Sequence, residues 1–226
     1  MIISSISING ILTMDLHSLN NEGGEGNQTI TRQVVIVDKE GNIQTVNAIS
    51  GDMFKHIQSE HFYNISLDGK LPLCNACKVF DPNRISGDVE FTNEIKGETK
   101  KDKLPDQQVL DKVLEKCTMD DIEGILITND GRNLPRKSCV EFGWIVGLPD
   151  EVKTENYFHV KLVPNASKKD NGTIEQDDGS NKGQNIFYRP ANSGRYATIC
   201  NLDIYRIGYN DIKREYSIDK DERERR

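Results

Sequence analysis

Apolar residues alternate with polar or small ones in several stretches of the chain, which is the pattern of a β-strand with one buried face. The N-terminal stretch IISSISINGILTM shows this pattern first. TRQVVIVD and NIQTV then flank a short turn that contains Gly41, and this arrangement predicts a β-hairpin. Residues 18–29, between these strands, are rich in glycine and asparagine and predict a flexible loop.

The spacing of apolar residues becomes helical after Ser50. Ser50 is a favourable N-cap, Asp52 suits the positive end of a helix, and three apolar residues follow near helical spacing. These features predict a helix over about residues 51–63. A shorter helix is predicted within residues 107–123, with apolar residues of its first half facing inward. The final stretch KREYSIDKDERERR has the composition of the charged start of another helix.

Two polar segments interrupt the pattern. Residues 64–108 combine turn-forming and charged residues, and they predict an inserted, partly mobile segment. GILITND, SCVEFGWIVGL and YFHVKLVP predict strands, after which the polar residues 165–183 predict a disordered hairpin tip. Strand-rich sequence then resumes at residue 185. The sequence therefore predicts a mixed α+β core with exposed insertions.

Composition narrows the class of protein. The chain has 226 residues, which suits one sizeable domain with insertions. No stretch approaches the roughly 20 apolar residues of a membrane span and no signal-type N-terminus is present, so we expect a soluble, cytoplasmic protein. Five scattered cysteines do not form the framework of a secreted disulfide protein, and reduced thiols or one metal site fit better.

Charge is unevenly distributed along the chain. The net charge of −7 argues against a protein that coats nucleic acid indiscriminately, but residues 184–214 are locally basic. Aromatic residues interleave with arginines in this segment, as in surfaces that stack bases and pair with phosphates. Strand interiors are also rich in tyrosine, so the pattern alone leaves both a nucleic-acid groove and ordinary strand packing open.

The stretch SGDMFKH has two interpretations. A Ser-Gly helix start exposes backbone N–H groups to an anion, and Lys55 would add a positive charge one turn later. In the alternative, Ser50 only caps its own helix and Lys55 is solvated.

A metal site is a second candidate. Cys74 and Cys77 have the Cys-x2-Cys spacing of a zinc site, but a structural zinc needs four ligands and no second such pair is present. His56 and His61 would lie about 140° apart around one helix and could not bind one ion together. The alternative for Cys74 and Cys77 is a pair of free buried thiols.

Signatures of catalysis are missing from the sequence. It contains no GxSxG, HExxH or P-loop motif. Ser138 and Cys139 lie in a strand-like run without a histidine at a telling spacing, which favours a buried cysteine. Asp15 and Asp52 could position a metal ion for RNA cleavage, but two isolated aspartates do not define a site.

Four segments together resemble a known family. TVNAISGDMFKHIQSEHF, the preceding GGEGNQTITR, RKSCVEFGW and FYRPANSGRYA are similar, in the same order, to the DevR-type backbone subunit of type I-B CRISPR Cascade effectors. The resemblance extends over most of residues 1–210. It implies an α+β fold with an RRM-like (ferredoxin-like) palm, over residues 1–226 as a single domain, with a finger insertion at 64–108 and a β-hairpin thumb at 157–190.

The resemblance also implies a function. Copies of such a subunit polymerise along the CRISPR guide RNA with other Cascade subunits and grip its backbone, and the guide then pairs with target DNA. These subunits bind without cutting and need no cofactor, so we expect no enzymatic activity. The family pattern usually continues into a further helix and strand, so the palm is expected to be truncated at its C-terminal end.

The family's RNA contacts can be carried onto matching residues of this chain. Ser50, Gly51 and Lys55, with His56 as a neighbour, match the helix start that holds guide phosphates. Asn27 and Arg32 match polar and basic contacts at the palm edge. The motif at the thumb base is matched by four consecutive residues, Ser193, Gly194, Arg195 and Tyr196.

Two other functions stay open. The first is a metal-dependent ribonuclease like the backbone subunits of type III effectors, with Asp15 as the cleaving residue. The second is a regulatory or scaffold protein that uses the fold without RNA.

Overall fold

The computed structural model of the chain describes residues 3–19, 21–96, 103–162 and 184–226. The fold is mixed α+β, as predicted. The predicted hairpin tip at residues 165–183 lies outside the described residues.

Strands and helices follow one another along the chain in mixed order. The strands are β1 (Ser5–His17), β2 (Asn21–Glu25), β3 (Gln28–Thr31), β4 (Gln33–Val37), β5 (Ile43–Ile49), β6 (Ile125–Ile127), β7 (Leu134–Arg136), β8 (Val140–Phe142), β9 (Ile145–Leu162), β10 (Gln184–Asp203), β11 (Tyr209–Asn210) and β12 (Glu215–Tyr216). The helices are α1 (Gly51–Asp68), α2 (Val89–Ile95), α3 (Asp106–Lys116), α4 (Thr118–Glu123) and α5 (Lys220–Arg225).

The chain forms two compact units. Unit 1 comprises residues 1–9, 51–143 and 199–226, and unit 2 comprises residues 10–50 and 144–198. Strands β1 and β10 contribute residues to both units. The assignment of residues 1–226 to one RRM-like domain, with finger and thumb as predicted, stays a prediction.

Unit 1 contains all the α-helices of the described chain and the main apolar core. Helix α3 buries Val109, Val113 and Leu114, which confirms its predicted inward face. The turn-rich segment after α1 is packed into the same core, through Leu73, Ile85 and other side chains. These residues lack a regular period because turns separate them, so a search for helical or strand spacing does not find them.

Helix α1 begins where predicted but extends five residues beyond residue 63, to Asp68. The helix ends where Lys70 adopts a left-handed conformation with φ of 51°. Near the chain end, the predicted charged helix is also present as α5.

Unit 2 is a β-sheet unit whose strands follow the order β2-β3-β10-β9-β5-β4, and β1 also pairs with β10. Antiparallel pairing of β9 with β10 runs from Leu162 opposite Gln184 to Val152 opposite Gly194, and a register shift follows. The β10–β3 pair is parallel, so the sheet is mixed. The predicted hairpin around Gly41 is confirmed as β4–β5.

The prediction of a loop at residues 18–29 is wrong. Strand β2 pairs with β3 in an antiparallel hairpin across this segment. Gly23 and Gly26 adopt φ values of 68° and 58°, which an irregular strand and a tight turn require. The glycines that indicated flexibility therefore serve as turn and bulge residues.

Candidate nucleic-acid interface

The start of helix α1 lies directly against backbone in unit 1. A Cβ atom on Gly51 would come within 2.3 Å of the carbonyl oxygen of Phe142, so only glycine fits here. Phe54, one turn later, packs its ring against Phe142 at 6.3 Å between centroids. Ser50 immediately precedes the helix. The Ser-Gly entry thus fixes the helix start close to the backbone that follows β8.

Lys55 reaches from α1 to the end of helix α4. Its Nζ donates a hydrogen bond to the carbonyl oxygen of Glu123 at 3.0 Å. Burial lowers the pKa of the half-buried Lys55 ammonium, and the negative charge of Glu123 opposes that shift. A second anion at this ammonium would replace lost hydration and be held more strongly than at a fully solvated lysine.

A pocket of about 340 Å³ opens beside these residues, within unit 1. Gly51 and Lys55 line it from α1, and Lys137 lines it from the segment before β8. Lys137 is exposed and pairs with Glu141 at 3.0 Å. Sequence reasoning missed Lys137, although it lies in the RKSCVEFGW segment on which the resemblance rests. The pocket combines two ammonium groups and a helix start with the carboxylates of Asp52 and Glu141. A phosphate group bound there would replace Glu141 as the partner of Lys137.

His56 is exposed and points to a different pocket of unit 1. This pocket has a volume of about 350 Å³, and Arg84 and Phe80 also line it. The rings of His56 and Phe80 lie 6.2 Å apart. His56 therefore does not share the pocket of Lys55, and its role in RNA binding stays a prediction.

Arg32 and Asn27 belong to unit 2. The Arg32 guanidinium makes a two-pronged ion pair with Glu22, at 2.8 and 2.9 Å, and lies 5.3 Å from the centre of the Trp144 ring. Asn27 is exposed in the β2–β3 turn, and its carbonyl oxygen accepts a hydrogen bond from the Tyr188 amide. The Arg32 guanidinium is thus positioned by Glu22 and the Trp144 ring and stays partly exposed, so an anion could also contact it.

Three of the four residues at the predicted thumb base, Ser193, Gly194 and Arg195, have distinct roles in unit 2. Ser193 Oγ accepts a hydrogen bond from the Leu16 amide at 2.9 Å. Gly194 leaves no room for a side chain, because a Cβ would lie 2.2 Å from the carbonyl oxygen of Glu151. Arg195 is exposed and pairs with the Glu151 carboxylate at 2.8 Å. Of the three, only Arg195 presents a charged group to solvent.

Tyr196 is fully buried, unlike its neighbours. Its hydroxyl lies 3.0 Å from Nε2 of His17, and the two rings meet edge to face. Burial raises the pKa of the Tyr196 phenol to about 12. The side chain therefore packs the interior of unit 2, and an RNA contact at Tyr196 stays a prediction that its burial does not favour.

A buried polar network in unit 2 was not predicted. Asn192 lies at its centre and is completely buried. Its amide oxygen accepts hydrogen bonds from Thr154 at 2.7 Å and from Asn47 at 3.1 Å, and Thr31 lies within 3.4 Å of it. Asn47 and Asn192 stand in stretches identified as strands, where an asparagine is unusual. An asparagine within a predicted strand was therefore the one feature of the sequence that could have indicated this network.

The two cysteines predicted as metal ligands have further partners in unit 1. Cys74, Cys77, Cys117 and Asp120 present ligand atoms that all lie within 4.8 Å of one another. Asp120 Oδ2 is 3.7 Å from the Cys74 sulfur and 3.5 Å from the Cys77 sulfur. Burial raises the pKa of Asp120 well above its ordinary value. Asp15, the candidate of the ribonuclease hypothesis, lies exposed on β1 and outside this cluster.

Comparison with known proteins adds to this geometry. A protein-family model described as "CRISPR-associated negative auto-regulator DevR/Csa2" matches residues 8–226. The chain belongs to the DevR/Csa2 family. The predicted family is thereby confirmed, and the matched span includes every residue of the candidate sites described above.

A solved structure shares the fold of this DevR/Csa2 member. A chain of a "CRISPR RNA-guided surveillance complex, pre-nicking" aligns with a TM-score of 0.52 and 10% sequence identity. The alignment covers 90% of this chain and 65% of that chain, so our chain spans just under two thirds of its length. The search of curated proteins found no match.

Among the described residues, no helix is long and apolar enough to cross a membrane.

Proposed function

We propose that the chain is a non-catalytic backbone subunit of a CRISPR effector that binds guide RNA through its sugar-phosphate backbone. The observation that carries this proposal is the unit 1 pocket, where Lys55 and Lys137 flank the start of helix α1. Phosphate contacts position a protein on RNA without reading its sequence, which suits a subunit that must accept any guide. Membership of the CRISPR-associated family supports the assignment.

Two further contacts are proposed in unit 2, at Arg32 and Arg195. Each arginine is paired in the free protein with an exposed glutamate, Glu22 or Glu151. Exposed ion pairs are worth at most about 1 kcal/mol, so an RNA phosphate can displace the glutamate. Asn27 precedes Arg32 by five residues and Ser193 precedes Arg195 by two, and both are proposed as polar contacts of the phosphates.

We also propose that the subunit assembles with copies of itself along the guide RNA and presents that RNA for pairing with target DNA. Val35, Val37 and Ile43 are apolar yet 66%, 66% and 75% exposed. Because Val37 pairs with Ile43 across the β4–β5 hairpin, the three side chains lie on one face. An exposed apolar face of this kind is typical of a subunit interface.

Binding of fluorescent single-stranded RNA at increasing salt tests the phosphate contacts. Each lost phosphate contact should reduce the slope of log affinity against log salt by about 0.7. Lys55→Ala and Lys137→Ala should each weaken binding and flatten the slope by about that amount. Lys220→Ala is the matched control, because Lys220 is an exposed unit 1 lysine paired with Glu224 and far from the pocket in sequence. Unchanged slopes in both pocket variants would contradict the proposal.

The same protein distinguishes binding from cleavage. Incubation with complementary RNA and a divalent cation should leave the RNA intact if the subunit only binds. Cleavage that is lost in Asp15→Ala would assign the chain to the ribonuclease alternative.

A further inference from the structure

The cluster at Cys74, Cys77, Cys117 and Asp120 has hydrogen-bonding distances that also fit a metal site. In a tetrahedral zinc site, bonds of about 2.3 Å to sulfur and 2.0 Å to oxygen place sulfur and oxygen ligands about 3.5 Å apart. The two sulfur–oxygen distances here are 3.7 and 3.5 Å, and all four ligand atoms fit within 4.8 Å. Two sulfur–oxygen distances thus match those of such a site, and all four ligand atoms lie close enough together to bind one ion.

Two chain segments supply the ligands in the same way. Cys74 and Cys77 are separated by two residues, and so are Cys117 and Asp120. In the first segment the Cys77 amide donates to the Cys74 sulfur at 3.3 Å, a contact that stabilises a thiolate. In the second, Cys117 immediately precedes helix α4 and Asp120 lies in its first turn. The sequence has no second Cys-x2-Cys pair, but Cys117 and Asp120 provide the equivalent pair of ligands, with a carboxylate in place of the second cysteine.

Because the cluster is buried, the deprotonated forms of its thiols and of Asp120 would need a positive charge close by. Cys74 and Cys77 are 1% exposed, and Cys117 and Asp120 are 0% exposed. Oδ1 of Asp120 is buried without a hydrogen-bond partner. Arg84 acts on Asp120 electrostatically but forms no direct ion pair with it among the described residues. An unpaired buried carboxylate costs several kcal/mol, whereas a bound divalent cation would supply its counter-charge.

We propose that Cys74, Cys77, Cys117 and Asp120 bind one Zn²⁺ ion as a structural site. Three sulfur ligands favour zinc over calcium or magnesium, which prefer oxygen ligands. Protein atoms provide all four ligands and bury them, so no position is open for a substrate, as expected of a structural rather than a catalytic zinc. The ion joins the segment after α1 to helix α4 inside the main core of unit 1.

Metal analysis of the full chain, purified under reducing conditions without chelators, tests the proposal. Elemental analysis should find about one zinc per chain in the wild type. Asp120→Asn keeps the side-chain shape but removes the anionic ligand, and Cys117→Ser removes a sulfur, so both should retain far less zinc. Cys200→Ser is the matched control, because Cys200 is a free cysteine outside the cluster and should retain zinc as the wild type does.

Cobalt substitution tests the ligand set independently of stability. Co²⁺ added to chelator-treated wild type should give the visible absorption of a tetrahedral ion and a sulfur-to-cobalt charge-transfer band. Asp120→Cys should preserve binding and intensify that band, since it replaces oxygen by a fourth sulfur. This variant also separates loss of the ligand from loss of the fold.

Two results would overturn the proposal. One is a wild-type protein that contains no zinc and gives no cobalt spectrum. The other is zinc content that is the same in the wild type, Asp120→Asn and Cys117→Ser, because the ion would then lie elsewhere. RNA binding does not enter either readout, so failure of this proposal leaves the RNA-binding proposal untouched.

Discussion

The two units bury different kinds of polar group. Among the described residues, every buried residue with a charged side chain lies in unit 1: Asp88, Asp120, Asp121, Glu123 and Arg136. The buried polar residues of unit 2 are Thr31, Asn47 and Asn192, all of them neutral. Unit 2 keeps its arginine–glutamate pairs at the surface instead.

The contrast continues within unit 1, between two neighbouring aspartates of helix α4. Asp121 is bonded to Arg136 at 2.7 Å, to Arg226 at 2.8 Å and to the Gly208 amide. Asp120 has thiols as hydrogen-bond partners, and the positive charge of Arg84 acts on it without a direct ion pair among the described residues. Within unit 1, arginines thus form direct ion pairs with Asp121, whereas among the described residues Asp120 has no direct ion pair. This difference is one ground for the metal ion proposed at Asp120, where three thiols surround the carboxylate, while the neutral network of unit 2 needs no counter-charge.

Removal of the Asp121 carboxylate should have the largest effect. Asp121→Ala removes the carboxylate shared by the completely buried guanidinium groups of Arg136 and Arg226. Each arginine then keeps one carboxylate partner, Asp211 or Glu222. We expect a loss of about 3–5 kcal/mol in the free energy of unfolding, measured by denaturant titration. Lys220→Ala, which removes an exposed ion pair, should leave the midpoint close to that of the wild type. A loss below about 1 kcal/mol for Asp121→Ala would show that the buried pairs of unit 1 contribute little.

Disruption of the neutral network in unit 2 should lower the free energy of unfolding by less than removal of Asp121 does. Asn192→Ala leaves Asn47 and Thr31 without their central partner, and we expect a loss of about 1–3 kcal/mol in the same assay. Asn156→Ala, at an exposed position on the neighbouring strand β9, is the matched control. If Asn192→Ala proved as costly as Asp121→Ala, the distinction between charged and neutral interiors would fail.

Acidification should destabilise unit 2 through His17. Burial lowers the pKa of His17 below its ordinary value of 6.5, and its Nδ1 atom is buried without a partner. The unfolded chain therefore takes up a proton at higher pH than the folded chain, so stability is full above pH 6.5 and falls as the pH drops below it. His17→Gln should show a shallower loss between about pH 6.5 and 5 than the wild type. Identical pH profiles would remove His17 from this explanation.

The smallest effect is expected at the surface pair of unit 2. Glu22→Gln removes the competitor of RNA for Arg32, so RNA affinity should increase by a few fold, equivalent to at most about 1 kcal/mol. Arg32→Ala should decrease affinity, whereas Lys153→Ala, an exposed unit 2 lysine, should change it little. Weaker binding of Glu22→Gln would contradict the proposed exchange of glutamate for phosphate.

The sequence predicted the parts of the fold that follow a regular period. The β4–β5 hairpin and the buried face of α3 were correct because alternation and helical spacing act over several neighbouring residues. The β2–β3 hairpin was missed because its glycines serve a turn and a bulge, which look like flexibility in sequence. The low strand propensity of asparagine marked Asn192 as unusual but could not show that its partners would be Asn47, Thr154 and Thr31.

Prediction of the candidate sites was limited by distance along the chain. Gly51 and Lys55 could be found because a Ser-Gly helix start is a local signal. Lys137 joins their pocket from more than 80 residues away, and Cys117 and Asp120 join Cys74 and Cys77 from about 40 residues away. Local spacing cannot show such partners, which depend on how the helices and strands pack.

The central claim, binding of guide RNA, is tested most directly by recovering nucleic acid from the protein. The full chain should be purified at high salt from cells that express a CRISPR guide, and the bound nucleic acid extracted and sized. We predict RNA of uniform length in the wild type and in Lys220→Ala, and a strong loss of it in the Lys55→Ala, Lys137→Ala double variant. A folded wild-type protein that carries no RNA, or RNA retained equally by the double variant, would contradict the account.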